Sequence, residues 1–284
     1  MDIEQADAIL QELCDRDVRA WQKYWVPVFR KFARDLAVDA HLSMGQIVLD
    51  IGTGTGIAAL EALKHVKPGG IVLGIDRSGP ILTRAEAEHA NVRNVCFLKM
   101  NSEDLIFPDE LFDAAISNCG ISSTAFPATV AEIFRVLRKG GSLTFNDWHL
   151  IDVPAHRVFS QILRRHRTDD PSKRLRGQRM ALATSEHVGN RYSNPRAQAE
   201  ELQRVGFGKI RFKKRTYKIR LPSIQNYLAM RFDREALRQE LRELSKSQRA
   251  ALTRELKTGL KQFMRKAHFV IEWKVTFTHA IRPR

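Results

Sequence analysis

Cysteine is scarce in this chain and long apolar runs are missing; each absence removes a class of protein. The three cysteines, Cys14, Cys96 and Cys119, are odd in number and widely spaced, which fits neither a disulfide framework nor a C-x-x-C metal pair. No stretch of about 18 uncharged apolar residues occurs, so no transmembrane helix is predicted. Residues Met1 to Leu10 carry acids where a secretory signal needs a basic flank and an apolar run. A cytoplasmic location is expected. Internal repeats and low-complexity linkers are also missing, which favours one domain over several. What is present is globular: 284 residues, 43% hydrophobic and 28% charged, enough to bury a sizeable core.

Charge is unevenly divided. Residues 1–150 hold 15 Lys and Arg against 20 Asp and Glu, whereas residues 151–284 hold 32 against 12. A net of −5 is thus followed by one of +20, and such asymmetry points to an anionic partner for the second half: a charged substrate, a phospholipid surface or nucleic acid. Solvated basic helices are the alternative reading. Lys209 to Arg220 is the densest stretch, with seven basic residues and no acid.

From Ile47 short apolar runs alternate with helical patterns, the signature of βαβ units and a parallel sheet. Strands are predicted at 47–51, 71–75, 95–100, 114–118 and 142–146, and helices at 57–65, 78–88 and 128–137, the last closed by Lys139-Gly140-Gly141 as a helix stop. A helix at 195–205 and a strand at 209–221 come later. Leu237, Leu241 and Leu244 then share one helical face, Ser245 with Gln248 forms a capping box, and Leu252, Leu256, Leu260 and Phe263 make a second stripe. Residues 269–280 alternate as a closing antiparallel strand.

The most informative segment is Asp50-Ile51-Gly52-Thr53-Gly54-Thr55-Gly56, a buried strand entering a glycine-rich turn and then a helix. Glycines permit positive φ and close approach of backbone to a ligand, and the helix N-terminus presents free N–H groups. Twenty residues after Gly56, Asp76 ends the second strand, where a carboxylate can accept from two ribose hydroxyls. A dinucleotide G-x-G-x-x-G is excluded, since Ile57 stands where its third glycine belongs.

D-x-G-x-G-x-G with an acid ending the next strand resembles the class I S-adenosylmethionine-dependent methyltransferases. Phe107-Pro108-Asp109, Phe112-Asp113 and Arg135-Val136-Leu137-Arg138-Lys139-Gly140-Gly141 are similar to later motifs of their ubiquinone/menaquinone-biosynthesis type. The resemblance implies a Rossmann-like, doubly wound, seven-stranded α/β sheet with its last strand antiparallel. It divides a single domain into an N-terminal helical cap (1–45), a cofactor core (46–147) and basic helical insertions (148–193 and 222–266) forming a substrate lid. It further implies S-adenosyl-L-methionine as cofactor, with Asp50, Gly52, Thr53, Gly54 and Gly56 around its methionine end and Asp76 on the ribose. Arg77, Asn101 and Ser102 would lie at the adenine and Asn118 near the sulfonium. Asn101 stands where the family usually has an acid, and its carbonyl oxygen can accept the same hydrogen bond.

The acceptor is narrowed by elimination. The chain has no Asn/Asp-Pro-Pro-aromatic run after the fourth strand, no Pro-Cys nucleophile, and Asn146-Asp147 in the reverse of the metal-dependent catechol-type order. No metal is therefore expected, and a small-molecule acceptor, anionic or membrane-associated, is left. His149, directly after the fifth strand, has the unperturbed pKa of a general base; Tyr24, Trp148 and Tyr227 join it as expected pocket residues. An RNA methyltransferase using the basic half and a non-catalytic accessory subunit are the alternatives.

Overall fold

The computed structural model describes residues 2–121, 125–148, 153–192 and 194–284, apart from the side chains of residues 3, 4, 148 and 185–191. Helix α1 (Ile3–Ala20) is capped by Asp2, which accepts from the Gln5 N–H at 2.8 Å. A π-helical turn (Trp21–Trp25) leads into α2 (Val26–Asp39). Strands β1 (Ile47–Ile51), β2 (Ile71–Asp76), β3 (Val95–Lys99), β4 (Phe112–Asn118) and β5 (Leu137–Trp148) then alternate with α3 (Ile57–Val66), α4 (Gly79–His89) and α5 (Phe126–Val136). There follow α6 (Pro154–His166), α7 (Lys173–Tyr192), α8 (Pro195–Val205), β6 (Gly208–Leu221), α9 (Ile224–Phe232), α10 (Glu235–Arg242), α11 (Lys246–Leu260), the two-residue β7 (Met264–Arg265) and β8 (His268–Ile281). The capping box at Ser245 and Gln248 is present at the start of α11.

The sheet runs β3-β2-β1-β4-β5-β8-β6. β1 to β5 pair in parallel, while β8 runs back along β5. The Gly140 N–H donates to Arg282 O at 2.9 Å and Thr144 Oγ1 meets His279 Nδ1 at 2.8 Å, so numbers fall along one strand as they rise along the other. This is the expected Rossmann-like sheet with its reversed last strand, and β7, pairing only with β8, makes eight strands in place of seven. β1 is buried from Val48 to Ile51 on both faces, as a central parallel strand requires.

The chain forms two compact units. The sheet unit, 25–147, 187–214 and 276–284, has its core at Leu49, Ile51, Phe112, Val130, Ile133, Phe145 and Leu202. The helical unit, 1–24, 148–186 and 215–275, buries Phe159 of α6, Tyr227 of α9, Leu252, Leu256 and Leu260 of α11, and Phe269 and Trp273 of β8. The stretch expected as an N-terminal cap is shared between them: Trp25 and Phe29 are core residues of the sheet unit, whereas Tyr24 belongs to the helical one.

The glycine pair expected to stop a helix does something else. α5 ends at Val136 and the chain is already extended at Leu137. The pairing jumps from Phe112–Leu137 to Ala114–Ser142, so Arg138 to Gly141 form a bulge inside β5, with Gly140 at φ +80°. The last carbonyls of α5 are taken instead by Arg282, whose Nη1 donates to Phe134 O at 2.9 Å, Arg135 O at 3.1 Å and Leu137 O.

The later motifs also acquire a physical role. Arg135 donates to Leu105 O at 2.7 Å and Phe107 O at 2.8 Å and pairs with Asp109 and Glu132, each at 2.8 Å, fastening α5 to the loop before β4. Asp113 accepts from the Ile47 N–H at 2.6 Å, fixing the start of β1. Arg135→Ala should therefore destabilise the fold by about 2 kcal/mol, read as a lower urea midpoint at unchanged m-value. An unmoved midpoint would show that the bridge contributes nothing.

Candidate cofactor site

β1 passes through Gly52-Thr53-Gly54-Thr55-Gly56 into α3. All three glycines are left-handed, at φ +64°, +55° and +81°, where any Cβ is strained. Space excludes side chains as well: a Cβ on Gly52 would lie 2.9 Å from Gly120 Cα, and one on Gly56 2.6 Å from Phe97 Cζ.

The turn is pinned to β2. The Thr53 N–H donates to Ile75 O at 2.9 Å, the Thr53 hydroxyl to Asp50 Oδ2 at 2.7 Å, and the Gly54 N–H to Asp76 Oδ2 at 3.0 Å. The other Asp76 oxygen accepts from the Ser78 N–H at 2.9 Å. Thr53 has room only because β2 carries Gly74, whose Cβ would lie 2.6 Å from Thr53 Oγ1.

Two carboxylates thus converge on one turn. Asp50 is fully buried and its Oδ1 has no partner of ordinary hydrogen-bond geometry among the described residues; burial pushes its carboxyl up to about 7, against the Thr53 hydroxyl and the Ala59 N–H, which favour the ionised form. Burial also raises Asp76, against the hydrogen bonds from the Ser78 and Gly54 N–H groups. Arg77, half-buried, adds a positive charge that acts the other way.

The remaining predicted cofactor residues lie after the neighbouring strands. Asn101 is exposed and its Oδ1 accepts from the Glu103 N–H at 3.2 Å, an Asx turn. Ser102 is buried with its hydroxyl 3.2 Å from Thr129 Oγ1. Asn118 ends β4; its Nδ2 donates to Phe29 O of α2 at 3.3 Å and its Oδ1 accepts from Asn146 Nδ2 at 2.9 Å. All of these stand at the carboxyl ends of parallel strands, where open α/β sheets bind ligands.

Sequence reasoning missed how polar the ends of β4 and β5 are. Asn146 is fully buried, and its Oδ1 accepts from Cys119 Sγ at 3.0 Å. Asp147 accepts from Gln198 Nε2 at 2.7 Å, and Gln198 in turn accepts from the Thr278 hydroxyl at 3.0 Å. A signal existed: an Asn-Asp pair continuing an apolar central strand must find buried partners.

Of the expected pocket residues, Tyr24, Trp148 and Tyr227 belong to the helical unit. Tyr24 is half-buried with Lys23 Nζ 4.7 Å from its ring centre. Tyr227 is wholly buried. Trp148 ends β5, its side chain falling outside the described residues, as does the whole of His149. Among the described residues no group of three or more His, Cys, Asp or Glu is placed to hold a metal ion.

Residues 48–141 match the model of the methyltransferase domain family. The demethylmenaquinone methyltransferase of Symbiobacterium thermophilum is 31% identical over 140 residues, 48% of this chain and 53% of that protein. The corresponding enzyme of Thermus thermophilus is 38% identical over 120 residues, 40% and 51% of the two chains. The chain spans about half the length of the curated relatives it matches. Among solved structures, the YcgJ protein of Bacillus subtilis aligns with a TM-score of 0.55 at 18% identity, over 89% of this chain and 99% of that one. Phosphoethanolamine N-methyltransferase 2 of Haemonchus contortus, solved with S-adenosyl-L-methionine, gives 0.53 at 18% identity over 89% and 53%. Residues 48–141 are thus similar to a methyltransferase domain, and the fold around them is Rossmann-like α/β.

Asp50 supplies a test of the site's electrostatics. Its folded pKa of about 7 lies above the ordinary value of 3.8, so the ionised form is disfavoured in the folded protein and stability is lost as pH rises through 7. Asp50→Asn should therefore stabilise the ligand-free protein at pH 8 by about 2–4 kcal/mol relative to its effect at pH 4. Urea unfolding at both pH values measures it; an equal effect at the two would mean an ordinary carboxyl.

Proposed function

We propose that this chain transfers a methyl group from S-adenosyl-L-methionine to a small-molecule acceptor. The observation that carries the reading is the left-handed glycine turn held between two carboxylates, Asp50 and Asp76, at the end of β1. The residues fit the cofactor: Asp50 Oδ1 is a buried acceptor with no hydrogen-bond partner of ordinary geometry among the described residues, and Gly54 leaves its backbone open, a Cβ there meeting only Ile81 Cδ1 at 3.7 Å. Glycines 52, 54 and 56, Thr53 and Asp50 would hold the methionine end, whose ammonium favours the ionised carboxylate and would draw Asp50 back down. Asp76 accepts from the Gly54, Ser78 and Arg77 N–H groups, and a carboxylate has lone-pair capacity beyond three bonds for a ribose hydroxyl. Arg77, Asn101 and Ser102 would border the adenine and Asn118 the sulfonium. When bound, this cofactor supplies a methyl group already electrophile enough to transfer; the protein's residues hold the partners in line and exclude water, a positioning effect of roughly 7–11 kcal/mol.

The relatives are named for demethylmenaquinone and 2-phytyl-1,4-naphtoquinone, which supports a small acceptor with an apolar body. The similarity covers less than half of this chain and the family match, residues 48–141, falls within the sheet unit, so we assign acceptor recognition to the helical unit. That unit carries much of the positive charge, which suits an anionic or membrane-associated acceptor. His149 would serve as general base for an acceptor arriving protonated. No helix among the described residues is long and apolar enough to cross a membrane, and action in the cytoplasm is part of this reading.

Calorimetry should show S-adenosylmethionine binding to the parent protein, weakened about tenfold or more in both Asp76→Ala and Asp76→Asn, as hydrogen bonds to a charged group imply. Unchanged affinity in the folded variants would remove the cofactor assignment. Incubation of the protein and labelled cofactor with a cell extract should then place label in the metabolite or lipid fraction. Label in RNA would replace the small-molecule reading with an RNA-directed one.

A further inference from the structure

Helix α4 meets the glycine turn through a residue to which the cofactor reading gives no part. At its start the Ser78 N–H is tied to Asp76. Further along, Ile81 Cδ1 lies 3.7 Å from where a Gly54 Cβ would stand, and at the last residue His89 Nε2 stands 3.0 Å from Thr55 O. A carbonyl oxygen only accepts, so Nε2 carries the hydrogen and donates. The half-buried His89 ring also leans on Phe97 of β3, with centres 6.0 Å apart at 42°. The two rings close the space beside Gly56: a Cβ there would lie 3.2 Å from His89 Cδ2 and 2.6 Å from Phe97 Cζ. All of these residues belong to the sheet unit.

This bond stands in for one that the backbone gives up. In a helix begun sooner, the Ala59 N–H would bond to Thr55 O, four residues back. It is directed to the Asp50 carboxylate instead, and His89 supplies a donor in its place. The Thr55–Gly56 peptide is thereby held on both sides, its oxygen by His89 and its N–H by Thr53 O at 2.9 Å. Such a peptide needs holding. Gly54 and Gly56, which flank Thr55, are both left-handed, and glycine passes into other conformations at little steric cost.

We propose that His89 is a positioning residue for the cofactor: by holding Thr55 O it fixes the plane of the Thr55–Gly56 peptide, and so orders in advance the turn that receives the methionine end. His89 acts through the backbone. The ligand named here rests on the methyl-transfer reading, whereas the hold on the turn does not. An ordered turn loses less freedom on binding, so removing the hold lowers affinity although every group named for the cofactor is still present.

The test compares, in the full chain, His89→Leu, which lacks the donor, with His89→Gln, whose Nε2 can give the same hydrogen bond. In the ligand-free protein, amide exchange followed by NMR should be about tenfold faster at Gly56 in His89→Leu, with the amides of β1 unchanged and the parent rate restored in His89→Gln. Calorimetry should show S-adenosylmethionine bound about tenfold more weakly by His89→Leu, a step of about 1.4 kcal/mol, and near the parent level by His89→Gln. A merely structural histidine would lower the melting temperature of His89→Leu and leave both readings as in the parent. Parent-like exchange or parent-like affinity in folded His89→Leu overturns the proposal. So does a His89→Gln no better than His89→Leu, since the ring then acts by packing alone. If circular dichroism shows His89→Leu unfolded, His89→Met takes its place. A parent protein that binds no S-adenosylmethionine defeats the methyl-transfer reading and with it the purpose given to His89, while faster Gly56 exchange keeps the hold itself. Equal binding by parent and His89→Leu defeats this proposal and leaves that reading standing.

Discussion

A side chain that is not there governs the sheet unit. Because β2 has Gly74 opposite the turn, Thr53 can lie against it, give its hydroxyl to Asp50 and its N–H to Ile75. That places Gly54 within reach of Asp76, and the glycine turn follows. β1 lies between β2 and β4, where the strand order reverses and open α/β sheets form their ligand crevice. A carboxylate buried there opposes folding at neutral pH, a cost of the kind that functional sites retain.

The ends of the next strands are held by a different device. Asn118, Cys119 and Asn146 bond to one another, and Asn118 reaches the backbone of α2. Asp147, Gln198 and Thr278 then tie β5 to α8 and β8. The first network is part-buried around Asn146 and the second is buried, and both bond side chain to side chain, so they fix the strand ends where an unpaired partner would be costly. Cys119 belongs to this network at φ +60°.

The charge asymmetry also acquires a partial physical account. In the helical unit, Glu240 is 5% exposed and meets Arg167 at 2.9 Å and Arg179 at 2.7 Å. Asp17, 4% exposed, meets Arg234 at 3.0 Å and the Glu235 N–H at 2.6 Å. Several arginines therefore answer buried acids that need paired charge. The basic run from Lys209 to Arg220 lies on β6, the edge of the sheet, where exposed lysines discourage pairing with another chain. Lys213 and Lys218 also contact Asp39 at 3.2 Å and Glu272 at 3.4 Å.

The sequence by itself determined the βαβ order, the bounds of β1 and α8 to the residue, the capping box of α11 and the glycine turn with its two acids. Those features are local: periodicity, caps and positive φ are set by residues a few positions apart. It also carried the reversed last strand, through the alternation of 269–280. Only the tertiary structure decided that Gly140 and Gly141 make a bulge, since Arg282, more than 140 residues on, takes the carbonyls that a glycine cap would have satisfied. Likewise only packing set Asn146 against Asn118 and Cys119, and brought His89 of α4 to the carbonyl of Thr55. Such partners depend on which elements meet, and contact between elements far apart in the chain leaves no local periodicity to read.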